Sequence, residues 1–135
     1  MNKIILAIIL AGFGAQCTKL IIYWFKHKHL SWHDLFVTGG MPSSHAAFVT
    51  SLATIIYLEE GNSTVFAVAL IIALIVLRDA YGIRRTVGKE GEAIKRLFKL
   101  HNIQSKEHYA LGHKPSEVLV GILIGLAVAA AVYLF

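Results

Sequence analysis

Four apolar runs, separated by polar stretches, dominate the pattern of the chain. They cover Ile4–Phe25, Ser44–Leu58, Thr64–Leu77 and Val118–Phe135. A bilayer core takes about 20 apolar residues per helix, and somewhat fewer where the bilayer thins. Each run therefore predicts a transmembrane helix, the second and third with a few flanking residues added. The predicted fold class is an all-α integral membrane protein, a bundle of four transmembrane helices in one domain, 1–135.

The polar stretches indicate where these helices begin. In GGMPSSH at 39–45, Pro42 with Ser43 or Ser44 suits the start of the second helix. In GHKPSE at 112–117, Pro115 fits the first turn of the fourth helix, and Glu117 suits its positive dipole end. Between these, EGEAIKRLFKLHN at 90–102 spaces apolar residues on one side. That spacing predicts an amphipathic helix lying on the membrane surface.

Composition favours the membrane over the alternative, a soluble all-α protein with buried helices. Hydrophobic residues make up 56% of the chain and charged residues 16%, against roughly 45–50% and about 25% in soluble domains. The first run also resembles a signal peptide ending at Cys17. However, Gln16 is a poor cleavage context and apolar residues continue beyond it, so we interpret the run as a retained helix. The single cysteine excludes an internal disulfide.

Charge predicts the topology. The net charge of the chain is +5, yet the loop after the second run contains no basic residue, and its charged residues are Glu59 and Glu60. The basic residues lie in the first and third loops, and basic loops stay cytoplasmic. The prediction is a multi-pass protein of the plasma (inner) membrane with both termini outside. Its basic face suits anionic lipid headgroups, and the lysines of 89–106 are interpreted as lipid-facing charges, not as nucleic-acid contacts.

This topology brings polar and ionisable residues at the ends of all four helices to the cytoplasmic face. The residues concerned are Lys19, Lys26, Ser44, His45, Arg84, Arg85, His113 and Glu117. Helix N-termini, a hydroxyl and fixed cations suit a tetrahedral anion, above all phosphate. Two histidines add a nucleophile and a proton donor, and Glu117, one turn after His113, could orient its ring. Such catalysis needs no metal or other cofactor if cations neutralise the phosphoryl oxygens.

Several residues near this cluster have simpler interpretations. Asp79 is interpreted as a structural clamp for Arg78 or Arg84, with a catalytic role as the alternative. Lys19 could extend to the interface, but it lies far inside its helix, and an intramembrane base is a functional candidate by default. The other histidines show no compact metal-ligand spacing, so no metal site is predicted.

Three sequence blocks resemble the type 2 phosphatidic acid phosphatase superfamily, which includes vanadium haloperoxidases. Its motifs are Lys-x6-Arg-Pro, Pro-Ser-Gly-His and Ser-Arg-x5-His-x3-Asp. Lys19-x6-Lys26, the PSSH block at 42–45 and His113-x3-Glu117 are similar to them, with Lys for Arg, Ser44 for Gly and Glu for Asp. The motif arginine is displaced, since Arg84 and Arg85 precede His113 by 29 and 28 residues. GGMPSSH, DAYGIRR and LGHKPSEVLVGILIG together resemble the divergent PAP2 branch of small membrane proteins.

The resemblance implies residue roles and a reaction. His113 would attack phosphorus, Glu117 would orient it and His45 would protonate the leaving alkoxide. Lys19, Lys26, Ser44 and either Arg84 or Arg85 would hold the phosphate. The predicted function is hydrolysis of a lipid phosphate: phosphatidate, phosphatidylglycerol phosphate or a polyprenyl diphosphate.

Two alternatives stay open. One is a non-catalytic protein that binds or transports a phosphate lipid. The other is a scaffold or oligomeric pore packed through Gly121 and Gly125. Four helices are few to enclose a site, which is compatible with a homodimer.

Overall fold

The structure of the chain, a computed structural model, describes residues 2–28, 41–103 and 114–135, with the side chains of residues 26, 27 and 83–85 left out of the description. Five helices form these ranges: α1 (Lys3–His27), α2 (Ser44–Glu60), α3 (Thr64–Tyr81), α4 (Ile83–Leu100) and α5 (Pro115–Leu134). No strand occurs among them. The predicted all-α class is confirmed.

Among the described residues, three helical stretches are long and apolar enough to cross a membrane: Lys3–Phe25, Thr64–Leu100 and Pro115–Leu134. The remaining bundle helix, α2, has 17 residues, which corresponds to about 26 Å. It packs against α1, α3 and α5. Because α2 is surrounded by other helices, it depends less on direct contact with lipid. An all-α membrane protein therefore fits the structure, while the count of four spans stays a prediction.

Small residues let the helices of the bundle approach closely. On α1, the fully buried Ala7, Ala11 and Ala15 recur every fourth residue and so lie on one side of the helix. On α5, Gly121 and Gly125 are buried in the same way. Lipid tails are as apolar as the side chains, so helix association in a membrane depends on close packing, which such residues permit.

Contacts at the two ends of the bundle show that neighbouring helices run antiparallel. At one end, the Lys3 ammonium donates a hydrogen bond to the main-chain oxygen of Tyr133 at 3.0 Å. At the other end, Ala46, Ala80 and Val118 form one buried cluster. The last turns of α1 and α3 and the first turns of α2 and α5 therefore share one end, called the polar end below.

The amphipathic helix expected at 90–102 is present as α4, and it begins earlier, directly after a turn at Gly82. It packs mainly against α3. Its apolar residues Val87, Ile94 and Leu97 are exposed, and they recur at the helical spacing that keeps them on one side. Its location on the membrane surface stays a prediction.

Candidate functional site

Ser43 fixes the start of α2 at the polar end. Its hydroxyl oxygen accepts a hydrogen bond from the Ala46 N–H at 3.4 Å, and its main-chain oxygen accepts one from the Ala47 N–H at 3.1 Å. The residue is fully buried. Of the two serines that suited this helix start, Ser43 is thus the cap, and Ser44 is the first helical residue. Pro42, also fully buried, precedes the cap and does not occupy the first turn.

The same serine joins the two sequence blocks that contain the predicted histidines. The Ser43 N–H donates a hydrogen bond of 3.0 Å to the main-chain oxygen of Glu117. One turn further along α5, Gly121 lies against the Ser43 carbonyl, and a Cβ there would come within 2.9 Å of the Ala46 Cβ. The absence of a side chain at residue 121 therefore allows the starts of α2 and α5 to touch.

Glu117 has two roles at the start of α5. One carboxylate oxygen accepts a hydrogen bond from the Lys114 N–H at 3.0 Å, which caps the helix. The carboxylate also interacts electrostatically with the Lys19 ammonium of α1. Lys19 is only partly exposed. The first turns of α2 and α5 and the last third of α1 thus meet around Lys19, Ser43 and Glu117.

Ser44 and His45 lie on another side of α2, next to α1. Together with Gln16 they form the polar part of a groove of about 550 Å³. The rest of its lining is apolar and comes from α1, α2 and α3: Ile9, Gly12, Phe13, Phe48, Val49 and Val76. Ser44 is partly exposed and His45 is exposed. Sequence reasoning had not assigned Gln16 to the site, although a polar residue one turn before Lys19 was a signal.

The two helix starts differ electrostatically. The first turn of α5 contains Glu117, whose negative charge offsets the positive end of the helix dipole. The first turn of α2 contains no acidic residue. The positive end of α2 is therefore the better place for an anion, with the amides of Ser44 and His45 in its first turn.

Three of the predicted residues can be located only in part, and a fourth lies outside the described residues. Lys26 is in the last turn of α1, and Arg84 and Arg85 are in the first turn of α4, but their side chains are not described. His113 lies outside the described residues and directly precedes Lys114, the cap of α5. The structure thus brings together Lys19, Ser44, His45 and Glu117 at the polar end, and it leaves the choice between the two arginines open.

Arg78 and Asp79 occupy the last turn of α3 at the same end. The Arg78 guanidinium stacks over the Tyr81 ring, 5.2 Å from its centre. Gly82 follows, and its N–H donates to the Arg78 main-chain oxygen at 2.9 Å. A Cβ on Gly82 would lie within 2.8 Å of Arg78 Nη1. Arg78 therefore packs over the turn between α3 and α4.

Comparison with known proteins gives two matches. A family described as the Divergent PAP2 family matches residues 1–128. The uncharacterized membrane protein YuiD of Bacillus subtilis (strain 168) is 38% identical, and the match covers 83% of this chain and 82% of YuiD. No solved structure matches the chain.

Proposed function

The chain belongs to the divergent PAP2 family, and on that premise we propose that it is a membrane phosphatase acting on a lipid phosphate. The observation that carries the proposal is the hydrogen bond between Ser43 and Glu117. It holds the segment containing His45 against the segment that directly follows His113. Two histidines on opposite sides of one phosphate are what covalent phosphoryl transfer requires.

The phosphate binds at the start of α2. The N–H groups of its first turn and the helix dipole attract the anion, the Ser44 hydroxyl donates a hydrogen bond, and Lys19 supplies a fixed positive charge. Lys26 and one of Arg84 and Arg85 complete the cationic side. These groups offset the charge on the phosphoryl oxygens in the transition state, which is the main catalytic contribution in phosphoryl transfer.

The reaction proceeds in two steps. A ring nitrogen of His113 attacks phosphorus while the bond between phosphorus and the ester oxygen breaks, and His45 gives its proton to that oxygen. Water then attacks the phosphohistidine, with His45 taking a proton from it, so that inorganic phosphate leaves and both histidines return to their initial states. Glu117 orients His113 with the carboxylate that also caps α5.

The proposed location is the plasma (inner) membrane, with four spans, both termini outside and the polar end facing the cytoplasm. Retention of basic loops on the cytoplasmic side supports this orientation. The substrate is then a phosphate lipid of the inner leaflet: phosphatidate, phosphatidylglycerol phosphate or a polyprenyl diphosphate. A homodimer would add helices around a site that one chain encloses incompletely.

The test is phosphate release by the purified protein from a panel of these three lipids in mixed micelles. His113→Ala is expected to lower the rate at least about a thousandfold, as loss of a nucleophile does. His45→Ala is expected to lower it by about 10²–10⁴-fold, the usual contribution of an acid–base group. His101→Ala, an exposed histidine at the end of α4, is the matched control and should retain the wild-type rate. Equal rates for all four proteins would reject the mechanism.

The alternative is a non-catalytic protein that binds or transports a phosphate lipid. It is favoured by the capping role of Glu117, since a carboxylate that stabilises the helix would be retained without any catalysis. This alternative predicts saturable binding of the lipid phosphate without turnover, and no acid-labile phosphate on His113. Denaturing the protein during incubation with ³²P-labelled substrate separates the two functions.

A further inference from the structure

The groove beside Ser44 and His45 has a second part that the proposed reaction does not use. Its polar residues, Gln16, Ser44 and His45, lie at the polar end of the bundle. Its apolar lining continues along α1 towards Ile9. Gln16 is seven positions after Ile9, which corresponds to about 10 Å along the helix, or about two thirds of one leaflet of a 30 Å bilayer core.

The groove is flanked by exposed apolar side chains, which in a bilayer would face the hydrocarbon. Ile9 and Phe13 on one side are 54% and 70% exposed, and Phe48 on the other side is 46% exposed. Val49, at 7%, belongs to the buried core and forms part of the floor. A groove of this size and lining, with a few polar groups at one end, has the properties of a ligand site.

Gly12 determines how closely the two walls approach. A Cβ at this position would lie 2.9 Å from the Phe48 ring. Because Gly12 has no side chain, the ring packs directly on the α1 backbone and the space beside it stays open. At Gly14, on the same helix, a Cβ would meet no atom of another helix within 4 Å, so the need for glycine applies to Gly12 and not to Gly14.

Charge at the polar end of the groove, its mouth beside Gln16, Ser44 and His45, indicates which kind of lipid would occupy the groove. Lys19 is three residues after Gln16 and seven after Gly12, and therefore lies on the same side of α1 as the groove. The start of α2, with no acidic residue in its first turn, faces the same mouth through Ser44 and His45. A lipid with an anionic phosphate can place its headgroup there and its chain along the groove.

We propose that this groove binds one hydrocarbon chain of the phosphate lipid whose headgroup lies at Ser44 and His45. The inference rests on the proposed function and adds to it a chain-binding subsite formed by α1, α2 and α3. Moving a chain from lipid into an apolar groove provides no hydrophobic gain, because lipid tails are as apolar as the lining. The groove therefore selects chains by shape and orients the phosphate ester, so a substrate without a chain would bind in many orientations.

Photocrosslinking tests the subsite. The full-length protein in nanodiscs is irradiated with a phosphatidate that has a diazirine in one acyl chain, and the labelled residues are identified by mass spectrometry. We expect adducts concentrated on Ile9, Phe13 and Phe48. Ile9→Trp, which fills the open side of the groove, should lower this labelling at least about fivefold. Leu10→Trp, one residue along α1, outside the groove lining and also exposed at 46%, should leave it unchanged.

A diazirine phosphatidylcholine in the same experiment should label the groove much more weakly. Adducts spread over the outer faces of α3 and α5, or equal groove labelling by both probes, would overturn the proposal. The melting temperature of each variant shows that the protein stays folded. Phosphate release from unlabelled phosphatidate in the same nanodiscs is measured in parallel. Labelling without release would contradict catalysis alone, and release without groove labelling would contradict the subsite alone.

Discussion

The main-chain oxygen of Ser43 lies against the Cα of Gly121, where any Cβ would collide with it. This contact closes the polar end of the bundle, because it allows the Ser43 N–H to reach the Glu117 carbonyl one turn earlier on α5. The Gly121–Gly125 pair therefore packs within the chain, against α2. These two glycines therefore give no support to packing between chains in an oligomer.

Gly121→Ala should consequently destabilise the protein and separate the two histidine-containing segments. A forced methyl group in a close-packed interface costs about 1–3 kcal/mol, so the midpoint of thermal unfolding in detergent should fall and phosphate release should fall with it. Gly14→Ala is the matched control, since no atom lies within 4 Å of its Cβ. A Gly121→Ala protein as stable and active as the Gly14→Ala protein would contradict the contact.

The two adjacent serines should respond differently to the same change. Ser43→Ala removes the cap of α2 and should lower stability by about 1 kcal/mol. Ser44→Ala removes a hydroxyl that makes no capping bond, so its unfolding midpoint should match the wild type while phosphate release falls. Measuring both properties for both variants separates a structural serine from a phosphate-binding one. Unchanged release by Ser44→Ala would remove Ser44 from the phosphate site.

Lys19 is the cation most open to a direct test, because it lies within an apolar helix and its side chain is only partly exposed. Lys19→Met keeps the length of the side chain and removes the charge. Loss of one preorganised group that stabilises transition-state charge costs about 10²–10³ in kcat, and that is the expected decrease. Lys19→Arg should recover part of the rate. Lys3→Met, at the opposite end of the bundle where Lys3 bonds to Tyr133, should leave the rate within about twofold of the wild type.

Much of the bundle was predictable because its signals are local. The apolar runs predicted α1, α3 and α5 to within a few residues, and Pro115 with Glu117 marked the start of α5 correctly. The PSSH block predicted the start of α2 but left the cap open between two serines. The hydrogen bond from the Ala46 N–H to the Ser43 hydroxyl identifies Ser43 as the cap, and Ser43 also packs against Gly121, a contact that no local pattern contains.

The end of the bundle that contains the candidate site was predictable from the sequence, but the shape of the site was not. Charge placement and helix starts indicated that Lys19, His45 and Glu117 share one end. The groove was not expected, because it depends on Gly12 accepting the Phe48 ring, a contact between helices. The recurrence of Ala7, Ala11 and Ala15 at every fourth residue could have identified the side of α1 that packs inward, but the groove is lined by other positions of α1.

The predicted orientation can be measured with single cysteines. Replacing Cys17 with Ser gives a cysteine-free chain, into which Asn62→Cys or Glu92→Cys is introduced; both positions are exposed. In intact cells, a membrane-impermeant maleimide should label residue 62, between α2 and α3, and should label residue 92 on α4 only after permeabilisation. The reverse pattern would place the polar end, and with it the site, on the outer face.

The amphipathic helix α4 gives the last prediction, because its exposed apolar side has a basic side opposite it. Val87, Ile94 and Leu97 are 52%, 41% and 55% exposed, while Lys95 and Lys99 lie on the other side of the helix by the 100° spacing of successive residues. A helix of this kind lies in the interface, with its apolar side in the acyl boundary and its cations among anionic headgroups.

An environment-sensitive fluorophore attached to a single cysteine tests this location of α4. In vesicles containing phosphatidylglycerol, the fluorophore at Leu97→Cys should emit at shorter wavelength than the one at Lys95→Cys, because only residue 97 faces the hydrocarbon. Each lysine near an anionic surface contributes about 1 kcal/mol, and salt screens this attraction. The difference should therefore shrink at high salt and in pure phosphatidylcholine. Identical emission from both positions under all conditions would instead indicate that α4 projects into the solvent.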